Sequence, residues 1–442
     1  MNDPLCFILM PFGKKPDATR FLIDFDSVYH DLIVPAVSQA KMQPIGADEE
    51  RLGGIIHKPM FERLILCDFA IADLTTANAN VLYELGVRHG VRPWSTVLVF
   101  AEGSRLPFDV APLRAMPYYL SPEGFPENLE KTRADLVQRL EEARYAKPDS
   151  PVFQLVEGLN PPEISHMKTD VFRESVEYSL NMKEKLASSR KKGIDDVRSV
   201  QQELGAISNA ESGIVVDLFL SYRAVEAWQD MINLVQKISP PLAATVMVQE
   251  QLALALNRVG EGERAERILK EVLVARGPSS ETYGLLGRVY KDRWENALNR
   301  GDAVLARGLL DKAIDAYKRG FEADWRDAYP GVNAVTLMEI REPPDPQRDE
   351  LLPVVLYAVR RKITSGKADY WDHATLLELA VLMRCEENAQ KALCDALASI
   401  REPWEPKSTA RNLRLIRKVR QRRNEALSWA IGVEEALEKA AS

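Results

Sequence analysis

Over the first 120 residues, short apolar runs alternate with longer stretches in which apolar residues recur every three or four positions. Runs of this length are typical of buried strands, and the periodic stretches are typical of helices. The predicted strands cover residues 5–10, 42–46, 67–72, 96–101 and 117–120, and the predicted helices cover 25–40, 54–66 and 81–91. Because such alternation requires right-handed crossovers, residues 1–120 are predicted to form a three-layer α/β domain with a parallel, flavodoxin- or Rossmann-like sheet.

Residues 121–165 have a different composition, because prolines recur among charged residues and interrupt any longer pattern. One short helix is predicted within them, over residues 129–145. Such breaks are typical of a connection between domains. The segment is therefore interpreted as a Pro-rich linker.

From residue 166 to the end, apolar residues recur at helical spacing. The predicted helices cover residues 215–238, 242–258, 265–274, 283–294, 303–321, 351–363, 374–397 and 410–441. Two passages, Leu286-Gly287-x-x-Tyr290 and Ala313-x-x-x-Tyr317-x-x-x-Phe321, have the spacing of small and aromatic residues found in tetratricopeptide repeats. Residues 166–442 are therefore predicted to form an all-α, tetratricopeptide-like solenoid, with an insertion around residues 296–302.

The composition of the chain argues against several classes of function. The formal net charge of −7 argues against general nucleic-acid binding. No window approaches the roughly 18 apolar residues of a membrane helix, and the N-terminus lacks the pattern of a signal peptide, so a cytoplasmic location is expected. The four cysteines lack the paired spacing of a zinc site and are interpreted as buried small hydrophobes. No phosphate loop, metal-binding helix or dinucleotide fingerprint occurs, so no metal or cofactor is predicted.

Polar side chains cluster where the third predicted strand passes into a helix. In a parallel sheet this junction lies at the carboxyl edge of the strands, where ligands bind. The first two strands should deliver further residues to the same edge, among them a glycine that permits close backbone approach. The residues predicted to converge there are Phe12, Gly13, Asp48, Asp73, Asn78, Asn80 and Glu84.

Each of these residues also has a simpler interpretation. Asp73 and Asn78 are of the types that favour turns and helix caps. Glu84 lies near the first turn of its helix, where the helix dipole favours a carboxylate. The same dipole would keep Glu84 ionised, and an ionised carboxylate can attack or stabilise a sugar carbon with oxocarbenium character. Spacing alone leaves both interpretations open.

The motifs carry a family resemblance. Met-Pro-Phe ending at Phe12, then Ala-Asp-Leu-Thr around Asp73 and Asn-x-Asn-Val-x-Tyr-Glu-Leu-Gly around Glu84, resemble the nucleoside 2-deoxyribosyltransferase-like superfamily. The resemblance implies cleavage or exchange of an N-glycosidic bond, with Glu84 as the nucleophile and with Asp73 and Asn80 near the sugar or base. The chain departs from the pattern at Phe12, where typical transferases place a tyrosine, and this departure favours a hydrolase or a sensor.

A second resemblance covers most of the helical half. Segments beginning at Asp217, Ala255, Gly287 and Gly331 resemble the helical region of apoptosis signal-regulating kinases, which bind TRAF adaptors. In those kinases a deoxyribosyltransferase-like domain also precedes the helices, although no kinase motif follows in this chain. The resembling segments contain four polar residues, Arg223, Arg288, Lys291 and Asp292. They either form a ligand or partner surface or make salt bridges between helices. For the basic stretch 411–423, the default is a solvated helix face and the alternative is docking onto an acidic partner.

Two hypotheses of different class follow. In the first, the N-terminal domain is an N-glycosidase acting on a nucleotide or NAD-like substrate in stress or defence signalling, with Glu84 and Asp73 as catalytic residues. In the second, the same cleft senses a nucleotide-derived molecule without turnover, and the helices recruit protein partners as a scaffold. A third possibility is a pure scaffold whose cleft is degenerate. Neither a membrane nor a nucleic acid is expected as a partner, and self-association fits the architecture.

Overall fold

Apolar strands at the start of the chain form a mixed sheet of six strands in the order β4-β1-β5-β6-β7-β8. The computed structural model describes residues 3–46, 57–108, 110, 115–145, 147–162, 166–364, 368–401, 404–425 and 427–441. The first five strands in this order are parallel, and β8 pairs antiparallel with β7. A separate hairpin joins β2 and β3. The strands are β1 Leu5–Leu9, β2 Lys14–Pro16, β3 Leu22–Asp24, β4 Gln43–Gly46, β5 Phe69–Asp73, β6 Thr96–Ala101, β7 Met116–Leu120 and β8 Pro126–Glu127.

Both faces of this sheet are covered. Alternate residues of β1 point to opposite faces, as the period of a strand requires. Cys6 and Ile8 join one core cluster, and Leu5 and Phe7 join another. All of β1 and β5 is buried, as in parallel strands covered on both faces. The predicted parallel strands and crossover helices are therefore confirmed for the described residues, while the finer flavodoxin- or Rossmann-like assignment stays a prediction.

The remaining secondary structure is helical. Through the α/β region and on to residue 225 the helices are α1 Phe25–Ser27, a π-helical continuation Val28–Ile33, α2 Val34–Gln39, α3 His57–Leu66, α4 Ala79–Val91, α5 Leu129–Glu142, α6 Pro151–Leu155, α7 His166–Lys192, α8 Ile194–Leu204, a 3-10 turn Ile207–Asn209 and α9 Ser212–Ala224. They are followed by α10 Trp228–Val235, α11 Pro240–Ala243, α12 Val246–Arg258, α13 Gly262–Arg276, α14 Ser280–Asn299, α15 Ala303–Ala323, α16 Ala328–Ile340, α17 Gln347–Thr364, α18 Tyr370–Leu382, α19 Glu386–Ala398, α20 Trp404–Arg422 and α21 Ala430–Ala440. Among the described residues, no helix is long and apolar enough to cross a membrane.

The chain divides into two compact units. The first unit is Met1–Val225 with Ile238–Leu242, and the second is Glu226–Lys237 with Ala243–Ser442. The last strand, β8, ends at Glu127, and the two units divide after Val225, so neither change coincides with the predicted boundary at residue 166. The predicted linker contributes β8 and α5 to the first unit, because Leu136 and Leu140 are fully buried in the core on one face of the sheet.

In the second unit, consecutive helices from α12 to α19 pack against each other, and the even-numbered helices α12, α14, α16, α18 and α20 also contact one another in sequence. They therefore form one continuous layer. Gly287 of α14 lets Tyr317 of α15 pack directly on the α14 backbone. The predicted insertion around 296–302 is a short turn between two long helices, closed by Gly301 and capped by Asp302.

Three predicted helices are each two helices in the structure. The predicted stretches 215–238, 374–397 and 410–441 are broken after α9, α18 and α20. The breaks contain Glu226, Arg384 and Asn424, each with a positive φ. The expectation of four buried cysteines is also wrong for two of them, because Cys385 is half-buried and Cys394 lies on the exposed side of α19.

Candidate functional site

The ends of β1 and β5 lie side by side, because these parallel strands are direct neighbours in the sheet. After β1 the chain continues through Phe12 and Gly13, and after β5 it passes through Asn78 into α4. The predicted convergence of these segments on one sheet edge follows from this pairing. Asp48 lies outside the described residues.

Asp73, predicted to be catalytic, is buried with 1% of its surface exposed. Its Oδ1 accepts hydrogen bonds from the backbone N–H of Thr75 at 2.9 Å and from the Thr75 hydroxyl, and its Oδ2 accepts one from the Tyr118 hydroxyl at 2.8 Å. Burial raises the pKa of Asp73, and these hydrogen bonds oppose the rise. Both carboxylate oxygens are thus engaged in a network that ties β5 to β7.

Tyr118 and Thr75 were not singled out from the sequence. Tyr118 is fully buried, and its hydroxyl lies 2.9 Å from the hydroxyl oxygen of Thr75. Thr75 in turn accepts a hydrogen bond at 2.9 Å from the backbone N–H of Ala101 on β6. The only sequence signal was the position of Tyr118 within a predicted strand, since its partner Asp73 is 45 positions away.

Asn78 is the N-cap of α4. Its side-chain oxygen accepts hydrogen bonds from the backbone N–H of Asn80 at 2.9 Å and of Val81 at 3.4 Å. The capping interpretation of Asn78 is therefore confirmed, and its amide nitrogen remains as a donor for other partners. Asn80 is exposed beside it in the first turn of α4.

Glu84 lies on α4 just beyond that first turn and is half-buried. One turn further along, Arg88 is fully buried and donates hydrogen bonds of 2.8 Å to the carbonyl oxygens of Leu64 and Cys67. These bonds anchor α4 to the end of α3 and the start of β5. The two predicted catalytic carboxylates thus have different surroundings, because Asp73 is enclosed and Glu84 is partly accessible.

The turn after β1 is held by Gly13, which has a φ of +69° and donates a backbone hydrogen bond of 2.7 Å to Asp26. Phe12 is half-buried and packs edge-to-face against Tyr29, with ring centroids 5.6 Å apart. A Cβ placed on Gly46 would lie 2.9 Å from the Tyr29 hydroxyl oxygen, so this hydroxyl reaches the end of β4. Tyr29 therefore brings a phenol next to Phe12, although the sequence pattern did not place a tyrosine there.

The polar residues singled out in the helical half have different roles. Asp292 accepts a hydrogen bond of 2.6 Å from the Asn257 amide, and Lys291 donates one of 3.2 Å to Asn412, so both contribute to helix–helix contacts. Arg223 is exposed on α9 of the first unit. Arg288 on α14 is half-buried, and no carboxylate among the described residues lies within ion-pair distance of it.

The basic stretch 411–423 is largely neutralised within the second unit. Arg420 and Arg423 pair with Glu339 of α16 at 2.7 and 3.1 Å, and Arg417 pairs with Glu434 of α21 at 2.7 Å. The expected solvated face is therefore wrong for these residues. The acidic groups that they contact belong to the chain itself.

The comparisons with known proteins agree with the prediction made for the helical half. The family model described as the MAP3K TRAFs-binding domain matches residues 81–431. The chain belongs to this family. The match begins within α4 and runs through α20 into α21, so it includes Glu84 and excludes Asp73, Phe12 and Gly13. The predicted resemblance to the helical region of the apoptosis signal-regulating kinases is thereby confirmed, and the deoxyribosyltransferase-like resemblance stays a prediction.

Two relatives within the same kinase class illustrate the match. Mitogen-activated protein kinase kinase kinase nsy-1 of Caenorhabditis elegans is 30% identical over 252 residues, which are 50% of this chain and 16% of that protein. Mitogen-activated protein kinase kinase kinase 15 of Mus musculus is 28% identical over 226 residues, 48% of this chain and 16% of that protein. The matches thus span about a sixth of each kinase. A solved TPR protein from Thermus thermophilus is 15% identical, with 46% of this chain and 98% of that chain covered at a TM-score of 0.36.

Proposed function

We propose that this protein is a non-catalytic signalling scaffold, which binds protein partners through its helical half and senses a nucleotide-derived ligand at the carboxyl edge of its sheet. The observation that carries the proposal is the family match over residues 81–431, which covers most of the helical region. The relatives are named as mitogen-activated protein kinase kinase kinases, and a role in signalling is the function that their shared segment supports.

The surroundings of Asp73 support a sensor over an enzyme. A glycosidase needs two carboxyl groups that reach the scissile bond, one to attack or stabilise and one to transfer a proton. Both oxygens of Asp73 accept hydrogen bonds from Thr75 and Tyr118, and the side chain is buried. In our proposal Asp73 fixes the strand ends that shape the cleft, and Asn80, Phe12 and Gly13 border the ligand.

Recruitment of protein partners is tested by crosslinking in cells. The tagged full chain is crosslinked in cells of its own source, the attached proteins are identified, and each is purified for a pairwise binding measurement. At least one purified protein should bind the full chain. A complete absence of pairwise binding would contradict the scaffold.

The sensor is tested by exposing the full chain to NAD and a panel of nucleosides and nucleotides. We expect at least one compound to raise the melting temperature, with no free base released on chromatography. Glu84→Gln should alter the melting shift, and Glu62→Gln on α3 serves as a charge-matched control in the same domain. Release of base by the wild type would refute the non-catalytic assignment.

An N-glycosidase is the second candidate, and the position of Glu84 favours it. Glu84 is half-buried near the beginning of a helix that follows a central parallel strand, so a ligand at the sheet edge can approach it. In this case Glu84 would be the nucleophile or the oxocarbenium stabiliser. Base release by the wild type that disappears in Glu84→Gln would establish this candidate.

A further inference from the structure

Two arginines lie on neighbouring helices of the even-numbered layer without a paired carboxylate. Arg258 ends α12 and Arg288 lies in the middle of α14, and these helices pack against each other. Within the described residues, neither guanidinium forms an ion pair. The Asn257 amide, one residue before Arg258, donates a 2.6 Å hydrogen bond to Asp292, which lies one turn beyond Arg288, so the end of α12 lies beside this part of α14. Partial desolvation and the positive charge of Arg288 lower the pKa of Arg258, and the negative charges of Asp292 and Glu226 oppose this fall.

Aromatic and amide groups flank these arginines. The Arg258 guanidinium lies over the Trp228 ring, 5.9 Å from its centroid. The side chain of Tyr329 on α16 is 47% exposed, and its hydroxyl is hydrogen-bonded to that of the buried Tyr317. The Tyr329 ring lies against α14, because a Cβ placed on Gly284, one turn before Arg288, would lie 3.3 Å from a ring carbon. Burial of its hydroxyl raises the pKa of Tyr329, and the charge of Arg288 opposes that rise. One turn along α16, Asn333 is half-buried. We call Arg258, Arg288, Tyr329 and Asn333 the arginine face.

We propose that the arginine face binds a carboxylate of an acidic peptide segment in a protein partner. This proposal rests on the scaffold function proposed above and specifies where and how the helical half binds. A guanidinium donates two parallel hydrogen bonds to one carboxylate, and an incoming anion removes the repulsion between Arg258 and Arg288. Carboxylate binding thus gives an ion-pair partner to two guanidinium groups that have none within 4.0 Å among the described residues.

The neighbouring groups favour a peptide over a phosphate. The Asn333 amide donates a 2.9 Å hydrogen bond to the Tyr329 carbonyl oxygen, so its own side-chain oxygen is available to accept from a peptide N–H. The exposed Tyr329 ring offers a surface for an adjacent apolar side chain. The negative charges of Asp292 and Glu226 act on Arg258, and those of Glu281 and Asp292 act on Tyr329. These charges oppose a doubly charged anion more strongly than a single carboxylate.

The probe is an array of random nonapeptides, each synthesised with glutamate, glutamine or phosphoserine at its centre, and the full chain is applied to it. We expect a subset of peptides to bind at least about tenfold better with glutamate than with glutamine, as the loss of a charged hydrogen bond requires. Preference for phosphoserine would assign the face to phosphopeptides and overturn the proposal. Equal binding of glutamate and glutamine versions, or no binding, would also overturn it.

Variants then locate the binding. Arg288→Gln and Arg258→Gln should each weaken binding of the best glutamate peptide about tenfold or more in fluorescence anisotropy. Arg307→Gln is the matched control, because Arg307 is exposed on α15 and has no described ion pair. A structural role for Arg288 would lower the melting temperature of its variant, whereas relief of repulsion should keep or raise it. If Arg288→Gln binds like Arg307→Gln, the arginine face is not the site.

The same variants separate this proposal from the scaffold function. A crosslinked partner that binds the wild type and Arg288→Gln equally well would refute the arginine face and leave the scaffold intact. A chain that binds no purified partner would refute the scaffold itself. A partner whose affinity falls in Arg258→Gln and Arg288→Gln, but not in Arg307→Gln, would support both.

Discussion

Among the glycines of the second unit described in the structure, Gly287 of α14 is the one at which an added Cβ would come closest to a neighbouring atom. A Cβ built there would lie 2.6 to 2.8 Å from three atoms of the Tyr317 ring, and real Cβ atoms essentially never approach so closely. Tyr317 cannot easily retreat, because it is 1% exposed and its hydroxyl is hydrogen-bonded to Tyr329. Gly287→Ala should therefore force α14 and α15 apart.

The change in the free energy of unfolding caused by Gly287→Ala is a balance of two effects. Overpacking of this kind costs about 1–3 kcal/mol. Alanine is a better helix former than glycine by about 1 kcal/mol, which offsets part of the loss. Since the ring is enclosed on all sides, we expect Gly287→Ala to lower the free energy of unfolding by about 1–2 kcal/mol.

Gly308 provides the matched control on the partner helix. No atom lies within 4 Å of a Cβ placed there, so Gly308→Ala should raise the free energy of unfolding by about 0.5–1 kcal/mol. Urea unfolding followed by far-ultraviolet circular dichroism compares the two variants. The reasoning is refuted if Gly287→Ala is as stable as Gly308→Ala. A second check is Tyr317→Leu, in whose background Gly287→Ala should become neutral or stabilising.

Three further predictions concern buried or capping polar groups. Burial raises the pKa of Asp149 to about 6, so its contribution to stability is present below about pH 4 and lost as the pH rises through 6. The free energy of unfolding of Asp149→Asn should exceed that of the wild type by about 1–3 kcal/mol at pH 7 and equal it at pH 4. A difference that does not change with pH would contradict this. Arg420→Ala leaves the buried Glu339 partly uncompensated and should lower the free energy of unfolding in urea by about 3 kcal/mol. A loss below about 1 kcal/mol would show that the other two partners of Glu339, Arg348 and Arg423, suffice. Asn78→Ala should cost about 1 kcal/mol and Asn78→Ser almost nothing, unless Asn78 also binds ligand, in which case Asn78→Ser loses the nucleotide-induced melting shift.

Periodicity predicted the α/β region well because its strands are continuous apolar runs between strong turn signals. It failed where the chain turns at residues that carry no such signal. Glu226 and Arg384 take a positive φ without being glycine or asparagine, so nothing local distinguished these turns from helix. At Arg384 the two flanking helices, α18 and α19, pack against each other, so the tight turn is set by tertiary contacts rather than by local sequence.

Helix α16 was missed for the opposite reason. Nearly every residue from Ala328 to Ile340 is buried, so the helix has no polar stripe to reveal its period, and Pro330 and Gly331 argue locally against a helix. The candidate site shows a similar limit. Asn78 was foreseen as a cap from local rules, whereas the Tyr118–Asp73 bond joins strands distant in sequence.

The cluster around Glu339 changes how this helical array should respond to shortening. Stacked repeats usually depend only on their immediate neighbours, so an array can lose terminal repeats and keep the rest. Here Arg420 of α20 reaches back past α18 to Glu339 on α16, and it also donates hydrogen bonds of 2.8 Å to the carbonyl oxygens of Val381 and Leu382. A fragment lacking α20 would leave a buried carboxylate and two carbonyl groups without this partner. We therefore expect α16, α18 and α20 to unfold as one cooperative block, so that removing α20 destabilises both of the other helices.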